Sequence, residues 1–138
     1  MISEATKDDV PSLVELCARF HAWSQFPGGS VFDPESCRSS FEALIERDNG
    51  VLLHGGGGFI GLSLGPLFFN HAEPMAVELF FWAPEGNGDA IRKAAEAWAK
   101  SKGALLLMMC GHEPSERASK WYSRKGYEPF GRQFMKVV

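Results

Sequence analysis

Glu78-Leu79-Phe80-Phe81-Trp82-Ala83-Pro84-Glu85-Gly86-Asn87-Gly88-Asp89-Ala90-Ile91 is the stretch that decides the fold. Residues 79–82 form an unbroken apolar run, as in a central strand covered on both faces of a sheet. Two glycines one residue apart follow. From Asp89 the apolar residues Ile91, Ala94, Ala95 and Trp98 recur at helical spacing until Gly103 stops the pattern. A strand that feeds a Gly-x-Gly turn at a helix N-terminus offers backbone N–H groups and the positive end of a helix dipole, an arrangement that favours phosphate. Glycine lets the backbone approach such a group closely.

Working outward, residues 104–110 read as a second buried strand, and residues 115–125 as a helix stopped by Gly126. Residues 134–138 read as a closing strand. Toward the N-terminus, residues 2–5 form a short first strand, and Thr6 with Asp9 resembles a capping box. The helix behind it carries Val10, Leu13, Val14, Cys17 and Phe20 on one face and ends near Ser24, before Phe26-Pro27-Gly28-Gly29. Asp33-Pro34 starts a second amphipathic helix with Cys37, Phe41, Leu44 and Ile45 inward. Residues 51–54 and 59–64 are strands joined by Gly55-Gly56-Gly57-Gly58, a hairpin tip; no Lys-Ser/Thr pair follows, so these glycines are not a P-loop. Residues 66–74 read as a less regular connection into the strand 75–82. The predicted order is β-α-α-β-β-β-α-β-α-β, an α/β fold with a mixed central sheet of six to seven strands and helices on both faces.

The chain has 138 residues, enough for one domain with a real core, and its 45% hydrophobic and 22% charged residues are ordinary for a soluble protein. A formal net charge of −3 argues against a general nucleic-acid binder. No apolar run is long enough for a membrane span, and the start lacks the order of a signal peptide, so a cytoplasmic location is expected. The scattered thiols Cys17, Cys37 and Cys110 are expected to be buried and free in a reducing compartment. The histidines His21, His54 and His71 show no metal-ligand spacing with any carboxylate, so no metal site is expected.

The order of elements, together with particular residues, resembles the GNAT superfamily of N-acetyltransferases. The resemblance covers nearly the whole chain. Ile2-Ser3-Glu4-Ala5-Thr6 with Asp9-Val10 and Leu13 is similar to the family's opening strand and helix. Glu96-Ala97-Trp98-Ala99-Lys100 with Gly103-Ala104 is similar to the end of its acetyl-CoA helix. Tyr122-Ser123-Arg124-Lys125-Gly126-Tyr127 resembles its Tyr-x-x-x-Gly-aromatic ending. The aromatic strand Glu78-Leu79-Phe80-Phe81-Trp82 also resembles that of small GNAT proteins encoded by bacteriophages.

The resemblance implies acetyl-CoA as co-substrate, with its pantetheine arm in an opening between strands 75–82 and 104–110 and its pyrophosphate on the turn before the next helix. The implied cofactor-binding residues are Phe81, Trp82, Ala83, Gly86, Asn87, Gly88, Asp89, Ala90 and Ser115. The family motif begins with Arg or Gln, where this chain has Ala83, and the turn is shorter by about three residues. Glu85 and Asp89 add negative charge near the phosphate position, and Arg92 and Lys93 could offset it. Tyr122 matches the family's general acid, which protonates the departing thiolate; a plain packing role under the sheet is its alternative. Glu78 lies where the family places the carboxylate that takes the amine's proton; an exposed edge or a structural salt bridge is the other reading. Ser115 either contacts the pantetheine arm or caps the last helix. The backbone N–H near Phe81 could hold the thioester oxygen. His112 and Glu113 could line the cleft mouth. The aromatic group Phe68, Phe69, Phe80, Phe81 and Trp82 is expected to be mostly core, with Phe68 or Phe69 available to floor a substrate pocket. Two functions follow. One is N-acetyl transfer to a primary amine of a small molecule, peptide or protein. The other is a non-catalytic binding or assembly module with a degenerate pyrophosphate turn. A homodimer is compatible with either.

Overall fold

A computed structural model describes residues 1–111 and 116–138. The chain divides into two compact units, Met1–Met108 and Met109–Val138. The first unit holds a five-stranded sheet in the order β1-β2-β3-β4-β5, with β1 at Ser3–Glu4, β2 at Gly50–Gly55, β3 at Gly58–Leu67, β4 at Asn70–Trp82 and β5 at Leu106–Met108. Neighbours are antiparallel except β4 and β5, which are parallel and joined by a helix, so the sheet is mixed. Helices α1 (Val10–Ser24) and α2 (Pro34–Glu46) connect β1 to β2, and α3 (Gly88–Ser101) connects β4 to β5.

The local signals act as the sequence predicts. Thr6 N–H donates to Asp9 Oδ2 at 2.8 Å, fixing the 3-10 turn that leads into α1. That helix ends where Gln25 turns left-handed, ahead of Gly28 and Gly29. The Asp33 side chain accepts from Ser36 N–H at 3.0 Å and Pro34 opens α2, a regular N-cap. Gly56 and Gly57 take positive φ values of 58° and 80° at the β2–β3 turn, the handedness that suits a two-residue hairpin.

One core lies between the sheet and the α1–α2 pair. It is built from Val10, Leu13, Phe41, Leu44, Leu52, Phe59 and Trp82, with Val14, Cys17, Phe20, Cys37, Ile45 and Phe80 packed against it. Ile91, Ala95, Trp98 and Ala99 of α3 are buried, whereas Ala94, expected in that stripe, is half-buried and Arg92 takes a buried position instead.

Several expectations are corrected. The sheet has five strands among the described residues, not six or seven. Residues 134–138 form no strand: a strand exists only through its ladder, none of the described residues pairs with this segment, and Phe134, Met135, Val137 and Val138 are exposed. The second buried strand shrinks to Leu106–Met108, with Leu105, Leu106 and Met108 exposed. Residues 66–74 are not a loose connection, since β3 and β4 stay paired out to Leu67↔Asn70 and the irregularity is a register shift at Pro66/Leu67, where Pro66 opposes Pro74. This leaves Phe68 and Phe69 at the hairpin tip, 88% and 93% exposed, so they are not core. The three cysteines are free but half-buried.

In the second unit, α4 (Glu116–Arg124) ends with Gly126 at a positive φ of 87°, as the glycine stop predicts. Tyr122 packs edge-on against Trp121 and Tyr127, with ring centroids 5.0 and 5.3 Å away.

Candidate functional site

Strand β4 carries one residue too many for its partner. Gly61 pairs with Phe80 and Leu62 with Glu78, so Leu79 has no opposite number in β3. An extra residue bends the bulged strand and increases its twist. The bend falls next to the point where the parallel ladder stops: β4 and β5 pair through Met75↔Leu106, Ala76↔Leu107 and Val77↔Met108, and β4 alone continues to Trp82.

The extra residue also sorts side chains between faces, because directly paired residues share a face of the sheet. A methyl on Gly58 would lie 2.7 Å from Ile91 Cδ1, so the face of residues 58, 60 and 62 is the α3 side. A methyl on Gly61 would meet the Phe80 ring, 2.6 Å from Cε1, so residues 59 and 61 face the α1–α2 core. Through their partners, Glu78 and Phe81 fall on the α3 side, while Phe80 and Trp82 join the aromatic cluster. In that cluster Phe80 lies 5.5 Å from Phe41 and 5.2 Å from Phe59, and Trp82 lies 5.8 Å from Phe20. The Arg19 guanidinium stands 5.5 Å over the Trp82 ring. Glu78 is 9% exposed, a buried carboxyl rather than an edge residue.

After Trp82, Gly86 N–H donates to Ala83 C=O at 3.4 Å in a tight turn. The two glycines of this turn serve different ends. Gly86 sits at φ 82° with open space around it, so its need is conformational. At Gly88 an added methyl would meet only Ala83 Cβ at 3.6 Å and Phe81 Cζ at 3.7 Å, ordinary contacts.

Asn87 occupies the N-cap of α3 but makes no side-chain cap. Its Nδ2 instead donates to the Gly55 carbonyl of the β2–β3 hairpin, and its Oδ1 is buried without a hydrogen-bond partner among the described residues. The hairpin tip closes directly on the turn. Methyl groups at positions 56 and 57 would lie 2.8 Å from Asn87 Nδ2 and 2.9 Å from Glu85 Cγ. The four-glycine run therefore matters to the turn through steric fit, a role that its hairpin signature did not disclose; the glycine count was the available clue.

Charge around the turn is arranged along α3. Arg92 is buried and donates from Nε and Nη2 to Asp89 Oδ1 at 3.1 and 3.0 Å, and from Nη1 to Glu96. These two carboxylates hold its guanidinium protonation above the ordinary range, although burial acts in the opposite sense and is the largest single influence. Lys93 Nζ lies 3.3 Å from Asp89 Oδ2. The cations expected to offset Asp89 are thus paired to it along the helix.

In the second unit, Tyr122 Oη donates to the Cys110 carbonyl at 3.4 Å, long for an O–H···O bond. Ser115, His112 and Glu113 lie outside the described residues. No cluster of three or more metal-binding side chains occurs among the described residues, nor does any helix there have the length and apolar character to cross a membrane.

No protein-family model and no curated protein matches the chain. Solved structures do. A ribosomal-protein-alanine N-acetyltransferase from Brucella melitensis biovar Abortus 2308 superposes with a TM-score of 0.74 at 14% identity, covering 100% of this chain and 98% of that one. An aminoglycoside acetyltransferase from an uncultured soil metagenomic sample, in complex with trehalose, gives 0.73 at 16% identity, covering 100% and 95%. A transcriptional regulator from Bacillus halodurans C-125 gives 0.78 at 17% identity, covering 100% and 99%. At these identities the likeness is one of fold, and the chain shares the fold of these solved acetyltransferases over its whole length.

Proposed function

We propose that the chain is an N-acyltransferase that moves an acetyl group from acetyl-CoA directly to a primary amine of a small molecule, peptide or protein. The observation that carries this reading is the coincidence of three features on β4. The ladder to β5 stops at Val77↔Met108, Leu79 bends the strand just beyond, and the strand then runs into a helix whose N-cap side chain is turned away. Backbone of Phe81, Trp82 and Ala83 would hold the pantetheine arm, and the amides of residues 86–90 the pyrophosphate. The fit is supported by the open space at Gly86 and the loose contacts at Gly88. Ser115 is kept as a pantetheine contact on the family pattern alone.

Bound acetyl-CoA would supply an activated thioester. The chain's own part is to orient that group and manage two protons. Glu78, a buried carboxyl on β4, is assigned as the base that accepts the proton of the attacking amine. Tyr122 is assigned as the acid that keeps a proton for the leaving thiolate. A phenol is protonated at neutral pH and can donate within hydrogen-bond reach. The Phe81 N–H would steady the developing oxyanion.

A second reading, a non-catalytic GNAT-fold module, draws on Ala83 in place of the motif's Arg or Gln and on the engagement of Arg92 and Lys93 by Asp89. The test is thermal unfolding with and without millimolar acetyl-CoA, followed by thiol release across an amine panel. A raised midpoint supports an intact site, since a ligand that binds only the folded state stabilises it; an unchanged midpoint favours the module. In the enzyme, Tyr122→Phe is expected to lower turnover by about 10²-fold or more with cofactor affinity retained. Equal turnover would remove Tyr122 from the mechanism.

A further inference from the structure

We propose that Asn87 is a positioning residue: the glycine tip of the β2–β3 hairpin holds its side chain away from α3, so that its oxygen does not compete with a diphosphate for the first-turn amides. This rests on the acyl-CoA reading and adds to it the group that keeps the phosphate end of the site uncapped.

Asparagine is among the strongest helix N-capping residues because its side-chain oxygen accepts from the second or third amide of the helix. Here it stands at the N-cap and does not cap. The amide nitrogen reaches the Gly55 carbonyl across the hairpin tip, and the oxygen is buried with no partner among the described residues. Leaving a buried acceptor unsatisfied costs stability. A helix selected for stability alone would turn that oxygen onto Ala90 N–H. The hairpin prevents it, and it reaches the turn only because its tip has no side chains. A methyl at position 56 would lie 2.8 Å from Asn87 Nδ2, and one at position 58 would lie 2.9 Å from Asn87 Oδ1 and 3.0 Å from the Trp82 carbonyl. The shortened turn and the glycine tip are thus two halves of one fit. An inward-held asparagine also places no charge near the phosphates, unlike the aspartate that would otherwise serve as an equally good cap.

The test compares the parent with Asn87→Ser and Asn87→Ala by calorimetric titration with CoA and by thermal unfolding. Serine is too short to reach Gly55 but can cap α3, whereas alanine can do neither. Asn87→Ser is expected to bind CoA about tenfold more weakly than the parent while unfolding at the same temperature as Asn87→Ala or higher. Asn87→Ala should bind CoA more tightly than Asn87→Ser, and the loss in steady state should fall on KM for acetyl-CoA rather than on kcat. Asn87→Thr, a second capping residue, must reproduce the Asn87→Ser result. A purely structural role predicts the reverse, with affinity following stability. Parent-like CoA binding by Asn87→Ser, or weaker binding by Asn87→Ala than by Asn87→Ser, overturns the inference alone. A parent that binds no CoA at millimolar ligand overturns the acyl-CoA reading and this inference with it.

Discussion

Gly61→Ala is the perturbation that most directly probes how β4 is held against the aromatic core. Position 61 pairs with Phe80, and a methyl there would sit 2.6 and 2.9 Å from Phe80 Cε1 and Cε2. The ring has to retreat by about 1 Å to reach ordinary contact, and close-packed interiors give little room for that. The ring is confined, with Phe41 and Phe59 at centroid distances of 5.5 and 5.2 Å. Overpacking of this kind costs roughly 1–3 kcal/mol, while replacing a strand glycine by alanine returns about 0.5–1 kcal/mol of chain entropy. The net expectation is a loss of about 1–2 kcal/mol, which for a chain of this length lowers Tm by roughly 3–7 °C. Phe80→Leu removes the obstructing ring edge at a cost of its own. In the double variant the two penalties should therefore be less than additive, with a coupling of about 1 kcal/mol. Urea unfolding of the parent, both single variants and the double variant measures that coupling. Strict additivity, or a Gly61→Ala protein as stable as the parent, would refute the argument that β4 is seated by ring-on-backbone contact.

Two further outcomes follow from the same geometry. Gly86→Ala forces a side chain into φ 82° and should lower Tm by roughly 3–7 °C, from a strain of about 1–2 kcal/mol, whereas Gly88→Ala, with only ordinary contacts, should leave Tm unchanged or slightly raised. Burial, reinforced by the neighbouring Cys37 thiol, pushes the Cys17 thiol from near 9 up to about 12, and burial raises Cys37 as well. Raised folded-state values mean stability that is fully present below the unfolded thiol value near 9 and lost as pH climbs toward about 12, so Cys17→Ala should flatten the alkaline decline in urea titrations. Disulfide-reagent labelling of Cys17 at mildly alkaline pH should be about a hundredfold slower in the folded protein than in urea, because so little thiolate is present.

What could be read from the chain alone divides along physical lines. Helices α1 and α2, the β2–β3 hairpin and the strand–turn–helix at residues 78–101 announce themselves, because apolar spacing and capping residues act locally. Val10, Leu13, Phe41 and Leu44 are all buried as their spacing implies. The bulge does not announce itself. Residues 79–82 are apolar without alternation, so an added residue breaks no pattern, and only the register shows that Leu79 is the odd one. Residues 104–110 are apolar too, yet composition cannot tell a covered strand from one whose Leu105 and Leu106 meet solvent. The same holds for Phe68 and Phe69, which look like core and stand at a hairpin tip. In the candidate site, Tyr122 was named on the resemblance to the GNAT ending, whereas the Gly-x-Gly turn was legible from spacing. The Asn87 tether was not, because it joins residues 32 positions apart. Nor was the fate of Arg92, whose carboxylate partners are visible in the helix but whose burial depends on tertiary packing.

The bulge has a consequence of parity. Glu78 and Phe80 are two apart in the chain yet consecutive rungs against Leu62 and Gly61. Deleting Leu79 would leave every cross-strand partner as it is, with the carboxylate and the aromatic rings on the sides they occupy now, and would take away only the bend. Whether β4 bends at this point is in this way set by counting, independently of any side chain's chemistry, and a single-codon deletion removes the bend without disturbing the core.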